Sequence, residues 1–197
     1  MPIEIEKKYR LTRKQREEVL RRLPKIGAKR KGEEFEVNTL YAGETLDQDR
    51  SVLRLRRVNK RATLTYKERF PTRSAVKQQR EDETPIDDPA AMEAILDALG
   101  FTPVLVYEKR RETWTLSKTE IVIDELPFGL FMEIEGTEKN ILAVENKLAI
   151  KGLKAETATY PQLARKHGKD YGGLVESRFP NQKQKKRPRP SRAKPLV

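Results

Sequence analysis

Residues 3–10 read Ile3-Glu4-Ile5-Glu6-Lys7-Lys8-Tyr9-Arg10. Apolar and charged side chains alternate here with a period of two. A strand built on this pattern puts Ile3, Ile5 and Tyr9 on one face and Glu4, Glu6 and Lys8 on the other. The same alternation recurs along the chain. In 51–58, Arg54 and Arg56 interleave with Leu53 and Leu55; in 61–69, Thr63, Thr65 and Lys67 interleave with Leu64 and Tyr66. Glu81 and Glu83 share a face in 76–84, Lys109 and Arg111 in 103–115, and Glu133 and Glu135 in 130–136, where Met132 and Ile134 take the other side.

With 35–42 and 118–124, these segments make eight candidate strands, starting from 2–10. Eight is a number that closes into a barrel. Val58-Asn59-Lys60-Arg61 reads as the hairpin turn between two of them. Helical spacing marks 12–23, with Thr12 as N-cap, and 88–99, opened by Asp87 or Asp88 with Pro89 and stopped by Gly100. A third helix falls at about 138–150 and a short one near 160–167, docking Tyr160 and Leu163 inward. The predicted class is α+β: an eight-stranded antiparallel barrel with helices packed outside.

For one strand alone, a charged face points to water. Across all of them that assignment fails, because the helices need an apolar wall and only the Ile, Leu and Val faces supply it. If the sheet closes, the other face becomes the lumen, holding about six bases and six acids. Burying unpaired charge costs several kcal/mol per ion. Such a lumen therefore calls for water, a metal and a polyanion: the bases suit phosphoryl oxygens, the carboxylates Mg²⁺ or Mn²⁺.

Composition narrows the field. Of 197 residues, 37% are charged, none is cysteine and one, His167, is histidine. Disulfides, thiolate sites and histidine-rich zinc sites are excluded, and a Ser-His-Asp apparatus is disfavoured. No P-loop or Gly-rich dinucleotide loop occurs. No apolar run reaches membrane-spanning length and the N-terminus is charged within four residues, so neither membrane span nor secretory signal is expected and the location is read as cytoplasmic. The net charge of +12 owes about eight units to residues 178–197, a stretch rich in Lys, Arg, Pro and Gln. A domain over 1–170 is therefore expected, with 171–197 a basic, disordered tail suited to weak contact with nucleic acid or polyphosphate, or simply to solubility.

The ordered motifs resemble the CYTH, or triphosphate tunnel metalloenzyme, superfamily. Glu4-Ile5-Glu6-Lys7-Lys8 matches its ExExK opening. Asn38-Thr39-Leu40-Tyr41, Leu53-Arg54-Leu55-Arg56, Thr65-Tyr66-Lys67, the acids at Glu81 and Glu83, Lys109-Arg110-Arg111, Asp124-Glu125-Leu126-Pro127-Phe128-Gly129 and Phe131-Met132-Glu133-Ile134-Glu135 follow in the family's order over about residues 2–165. The resemblance implies metal-binding carboxylates at Glu4, Glu6, Glu133 and Glu135, with Asp124 either joining them or orienting a metal-bound water, and Glu81 or Glu83 supporting the clamp or a second metal. It implies a triphosphate clamp of Lys8, Arg54, Arg56, Lys67, Lys109 and Arg111, with Thr65 adding a hydroxyl; Glu4, Glu6, Lys8 and Asp124 are the expected catalytic set. Arg57 and Arg110, of opposite parity, are expected on the surface.

Two positions depart from the pattern. Asn38 stands where an acid is common, and Glu156-Thr157-Ala158-Thr159-Tyr160 lacks the basic residue that often precedes a Ser-Tyr pair; Lys151 or Lys154 are the candidates to replace it. The implied activity is metal-dependent hydrolysis of tripolyphosphate, thiamine triphosphate or another triphosphate. A class IV adenylate cyclase acting on ATP and a non-catalytic polyphosphate, nucleotide or RNA-end binding module are the alternatives. The absence of an adenine-reading motif favours hydrolysis. A closed barrel has no free edges to pair, so nothing compels dimerisation.

Overall fold

The computed structural model describes residues 3–47, 49–70, 77–150 and 152–180, with the side chains of Ile3, Glu4, Arg69, Lys77 and Gln78 excepted. The strands are β1 (Ile3–Leu11), β2 (Lys29–Ala42), β3 (Ser51–Val58), β4 (Arg61–Arg69), β5 (Lys77–Ile86), β6 (Thr102–Leu116), β7 (Thr119–Leu126), β8 (Gly129–Glu135), β9 (Lys169–Asp170) and β10 (Val175–Ser177). The helices are α1 (Arg13–Arg22), α2 (Pro89–Ala98), α3 (Glu138–Leu148) and α4 (Tyr160–His167). Their order through the sheet is β2-β3-β4-β5-β1-β8-β7-β6, and β6 pairs back onto β2 from Lys29↔Thr115 to Ala42↔Thr102. The eight antiparallel strands form a closed ring, as their number and alternation predict.

Local chemistry explains the joints. Thr12 caps α1 reciprocally with Gln15, and the Asp88 carboxylate accepts from the backbone N–H groups of Ala90 and Ala91 at the start of α2. The β3–β4 hairpin turns on Asn59-Lys60, with Asn59 at φ 55°, a left-handed conformation that asparagine tolerates. Gly100, at φ 83°, ends α2 where a side chain would be strained.

Apolar parity builds the outside. Tyr9, Trp114, Ile121, Ile123, Met132 and Ile134 face outward from β1 and β6–β8 and pack with Val19 and Leu23 and, from α3, Ile141, Val144 and Leu148. A smaller cluster joins Tyr41, Leu55 and Ala62 to Leu96 of α2. The third cluster lies on the other face of the wall. Leu40, Leu105, Leu126 and Phe131 share strand parity with the charged residues, and Tyr160, Leu163 and Ala164 of α4 seal them. This apolar plug closes one end of the barrel.

β2 begins six residues before the expected 35–42, because Gly32 and the bulge at Arg30/Gly32 carry the pairing with β6 past the region of clean alternation. The fold also runs past the expected boundary at residue 170. β10 joins β6 in parallel at Leu105–Tyr107, on the edge that β7 occupies from Arg110 onward. Arg178 then pairs with Glu108 at 3.2 Å, and the Phe179 N–H donates to the same carboxylate at 2.9 Å. Residues 181–197 of the basic tail lie outside the described residues. No helix among the described residues is long and apolar enough to cross a membrane.

Candidate functional site in the barrel lumen

The charged faces of seven strands line one cavity of about 300 Å³, with the remaining strand, β2, adding Glu36 beneath. Lys8, Arg54, Arg56, Lys67, Lys109 and Arg111 all reach it, together with Glu6, Glu81, Glu83, Glu133 and Glu135. Strand parity thus brings the six expected clamp cations into one space. Glu4 continues the row of Glu6 and Lys8 on β1, opposite Gln79 of β5, but its side chain lies outside the described residues. Arg57 and Arg110 face away, pairing with Glu93 and Glu125.

The deepest part is a buried ionic network. Arg111 donates to both oxygens of Asp124, at 2.8 and 2.7 Å, and to Glu133 at 2.8 Å. Lys109 lies 3.2 Å from Glu36 and 3.7 Å from Asp124, and Lys8 lies 3.5 Å from Glu133. The Tyr160 hydroxyl donates to Asp124 at 2.8 Å, and the Lys8 ammonium sits 4.0 Å from the centre of its ring. Burial alone would raise the Asp124 and Glu36 carboxyls. For Asp124, Arg111 and Lys109 outweigh it; for Glu36, Lys109, Arg111, Arg56 and Arg54 do. Both are held below the ordinary carboxylate range. Burial and the adjacent Arg111 push Lys109 down despite its acidic neighbours, and burial beside Asp124 and Glu133 pushes the Tyr160 hydroxyl well up.

The opposite wall is built from β3, β4 and β5. Lys67 pairs with Glu81 at 2.6 Å, Arg56 with Glu83 at 3.1 Å, and Arg54 with Glu83 at 3.4 Å and Glu81 at 3.8 Å. The Thr65 hydroxyl donates to Glu83 at 2.7 Å. Glu81 and Glu83 therefore both face the lumen.

The register predicts where a cation fits. Glu6 of β1 opposes Glu135 of β8, which opposes Glu120 of β7. Their shared strand parity lines up carboxylate oxygens along one row of the lumen wall. Among the described residues, no three acidic or imidazole groups converge closely enough to hold an ion alone. A hard cation sharing one or two carboxylates with water and phosphate oxygens suits that donor set.

Glu36, Glu120 and Tyr107 were not singled out by sequence. Glu36 was within reach of it, since Glu34, Glu36 and Asn38 alternate with Phe35, Val37 and Thr39. Glu120 and Tyr107 carried no such signal, one lying beside a turn and the other in a nearly unbroken apolar run. Of the two lysines considered as substitutes near Tyr160, Lys154 is exposed and does not line the cavity, and Lys151 lies outside the described residues.

The family model of the CYTH domain matches residues 2–161. No curated protein matches the chain by sequence. Among solved structures, the PH1012 protein from Pyrococcus horikoshii OT3 is 26% identical, with a TM-score of 0.70 over 81% of this chain and 98% of that one. A candidate adenylate cyclase from Vibrio parahaemolyticus shares the fold at 20% identity and TM-score 0.65, over 80% of this chain and 95% of its own. So does a Hippeastrum protein considered as an adenylyl cyclase and found to have a dominant triphosphatase activity, at 20% identity and TM-score 0.62, over 83% of this chain and 94% of its own. With a family model matching most of its length and a closed barrel whose inward faces carry the motif residues, the chain belongs to the CYTH domain family.

Proposed function

We propose that this protein is a divalent-metal-dependent triphosphatase that hydrolyses an inorganic or organic triphosphate inside the barrel. One observation carries the reading: Lys8, Arg54, Arg56, Lys67, Lys109 and Arg111 converge on a single cavity that carboxylates also line. Phosphoryl transfer asks of a protein mainly positioning and charge stabilisation. A chain of three phosphoryl groups offers the anionic density that six cations match.

The cations divide the work. Lys8, Lys109 and Arg111, fixed by Asp124, Glu133 and Glu36, present charge in set positions at the deep wall. Arg54, Arg56 and Lys67 exchange Glu81 and Glu83 for phosphoryl oxygens as substrate enters. Both Asp124 oxygens are spent on Arg111 and Tyr160, so its part is to orient the guanidinium. Tyr160 and the apolar plug keep water from that end. One or two of the carboxylates Glu6, Glu133 and Glu135, with Glu4 in the same row, would hold Mg²⁺ or Mn²⁺ together with water and phosphate oxygens. The ion, when bound, neutralises phosphoryl charge and polarises a water.

The test is to incubate the protein with Mg²⁺ or Mn²⁺ and, separately, tripolyphosphate, thiamine triphosphate and ATP, and to resolve the products. Orthophosphate is the expected product; cyclic AMP with pyrophosphate would make it a cyclase, and binding without turnover a binding module. Glu6→Gln should lower metal-dependent turnover on the order of 100-fold, whereas Arg54→Ala should mainly weaken triphosphate binding. Unchanged kinetics in both variants would remove the lumen as the site.

A further inference from the structure

The lumen row on β1 continues past Lys8 to Arg10, which has the same parity and sits opposite Phe131 of β8. Between these two cations the chain 155–163 crosses the barrel end. Ala155 bridges to Tyr9, the Glu156 N–H donates to the Lys8 carbonyl at 2.8 Å, and Tyr160 seats on the Lys8 ammonium. Lys8 is left inside the cavity and Arg10 outside it. There Arg10 lines a second cavity, of about 590 Å³, with Glu156, Gln162, Lys166 and His167.

The residues of this outer cavity differ from those of the lumen in one respect. Every clamp cation of the lumen lies within 4 Å of a carboxylate. Among the described residues, neither Arg10 nor Lys166 has such a partner. Arg10 donates to the Phe128 carbonyl at 3.0 Å, and His167 stacks on the Phe128 ring at 5.6 Å, so both are gathered on one residue. The single carboxylate present, Glu156, is turned to its own loop, accepting from the Ala158 N–H at 2.9 Å. We propose that this cavity is a second anion site, separate from the lumen, that takes a small phosphate species such as orthophosphate or pyrophosphate on Arg10, Lys166 and His167. Guanidinium and ammonium groups without a carboxylate partner, beside an imidazole, supply the directed donors that a phosphate oxyanion accepts. The site stands whether or not the lumen hydrolyses triphosphate.

His167 is the sole histidine, so its imidazole resonance reports this cavity without assignment. Titrating the intact protein with orthophosphate or pyrophosphate at constant ionic strength should move that resonance saturably. Either Arg10→Ala or Lys166→Ala should weaken the apparent affinity about tenfold, and Arg54→Ala, which acts on the lumen, should leave it unchanged. Lys166 is exposed on a helix, so its variant serves even if Arg10→Ala fails to fold. A shift matched by chloride, or one lost in Arg54→Ala and kept in Lys166→Ala, would overturn the outer site. If orthophosphate but not pyrophosphate binds, the ligand is the smaller species, and the site stands.

Discussion

The carboxylates of Asp124 and Glu83 both sit among basic side chains on the lumen wall, yet they hold their partners differently. Asp124 has no exposed side-chain surface and is engaged at once by Arg111, Lys109 and the Tyr160 hydroxyl. Glu83 has a side chain 35% exposed and shares Arg54, Arg56 and Thr65 with open solvent. The deep part of one wall, on β1 and β6–β8, is a dry network in which Asp124, Arg111 and Lys109 each have several partners. The other, on β3–β5, is wet at Arg56 and Glu83, whose side chains are 22% and 35% exposed, with Arg54, Lys67 and Glu81 more deeply set behind them. A buried pair is costly to break, while an exposed one contributes little to stability. On the proposed function, the fold separates the groups that stay in place from those that let go when an anion arrives.

The largest effect expected from that difference is on stability. Asp124→Asn leaves Arg111 and Lys109 buried without their shared counter-charge and should cost about 3–5 kcal/mol in denaturant unfolding. A loss as small as that of Glu83→Gln would erase the distinction between the walls.

Next comes acid. Glu36 and Asp124 are both held below the ordinary carboxylate range, burial being outweighed in each by neighbouring cations. Their contribution is complete above the unfolded carboxyl pKa of about 4 and fades as pH falls through the depressed folded values. Unfolding measured from neutral pH downward should show a steep acid limb. Glu36→Gln should start lower at neutral pH and fall less. A parallel pair of curves would show that Glu36 carries no linked proton.

Much of this was legible in the sequence, and for a physical reason. A closed barrel imposes strict alternation, so Glu6, Arg54, Arg56, Lys67, Arg111 and Glu135 disclose their shared interior by parity alone. What stayed hidden depends on contacts between distant segments. The plug is one case: Leu40, Leu105 and Phe131 look like ordinary core, and only α4 crossing the barrel end shows that they fill the lumen. The docking of Arg178 on Glu108 is another, since three residues of parallel pairing in β10 leave almost no periodic trace. In the sequence Arg10 is only the last residue of the 2–10 segment, because the stretch that separates it from Lys8 lies some 145 residues away.

A smaller effect is expected on the wet wall. Arg56→Ala removes a side chain 22% exposed, paired at 3.1 Å with a carboxylate that is itself partly in solvent. Stability should change by no more than about 1 kcal/mol, while KM for a triphosphate rises about tenfold with little change in kcat. The reverse outcome, a large stability loss with an unchanged KM, would move Arg56 from the exchangeable wall to the fixed one.

The smallest change sharpens the comparison most, because Thr65 is a fully buried group in the middle of the wet wall. Its side chain is fully buried, though it belongs to β4, and its hydroxyl links Glu83 at 2.7 Å to Arg54 at 3.2 Å. Thr65→Val keeps the shape and deletes both bonds, so it should cost about 1 kcal/mol in stability. If the wet wall works by exchange, Glu83 loses an anchor that competes with substrate for nothing, and the clamp loosens. Triphosphate affinity should then fall by a few-fold while metal dependence stays as it was. An unaltered affinity would mean that Arg54 and Arg56 are positioned by the strand backbone alone, and that the exchange needs no fixed pivot.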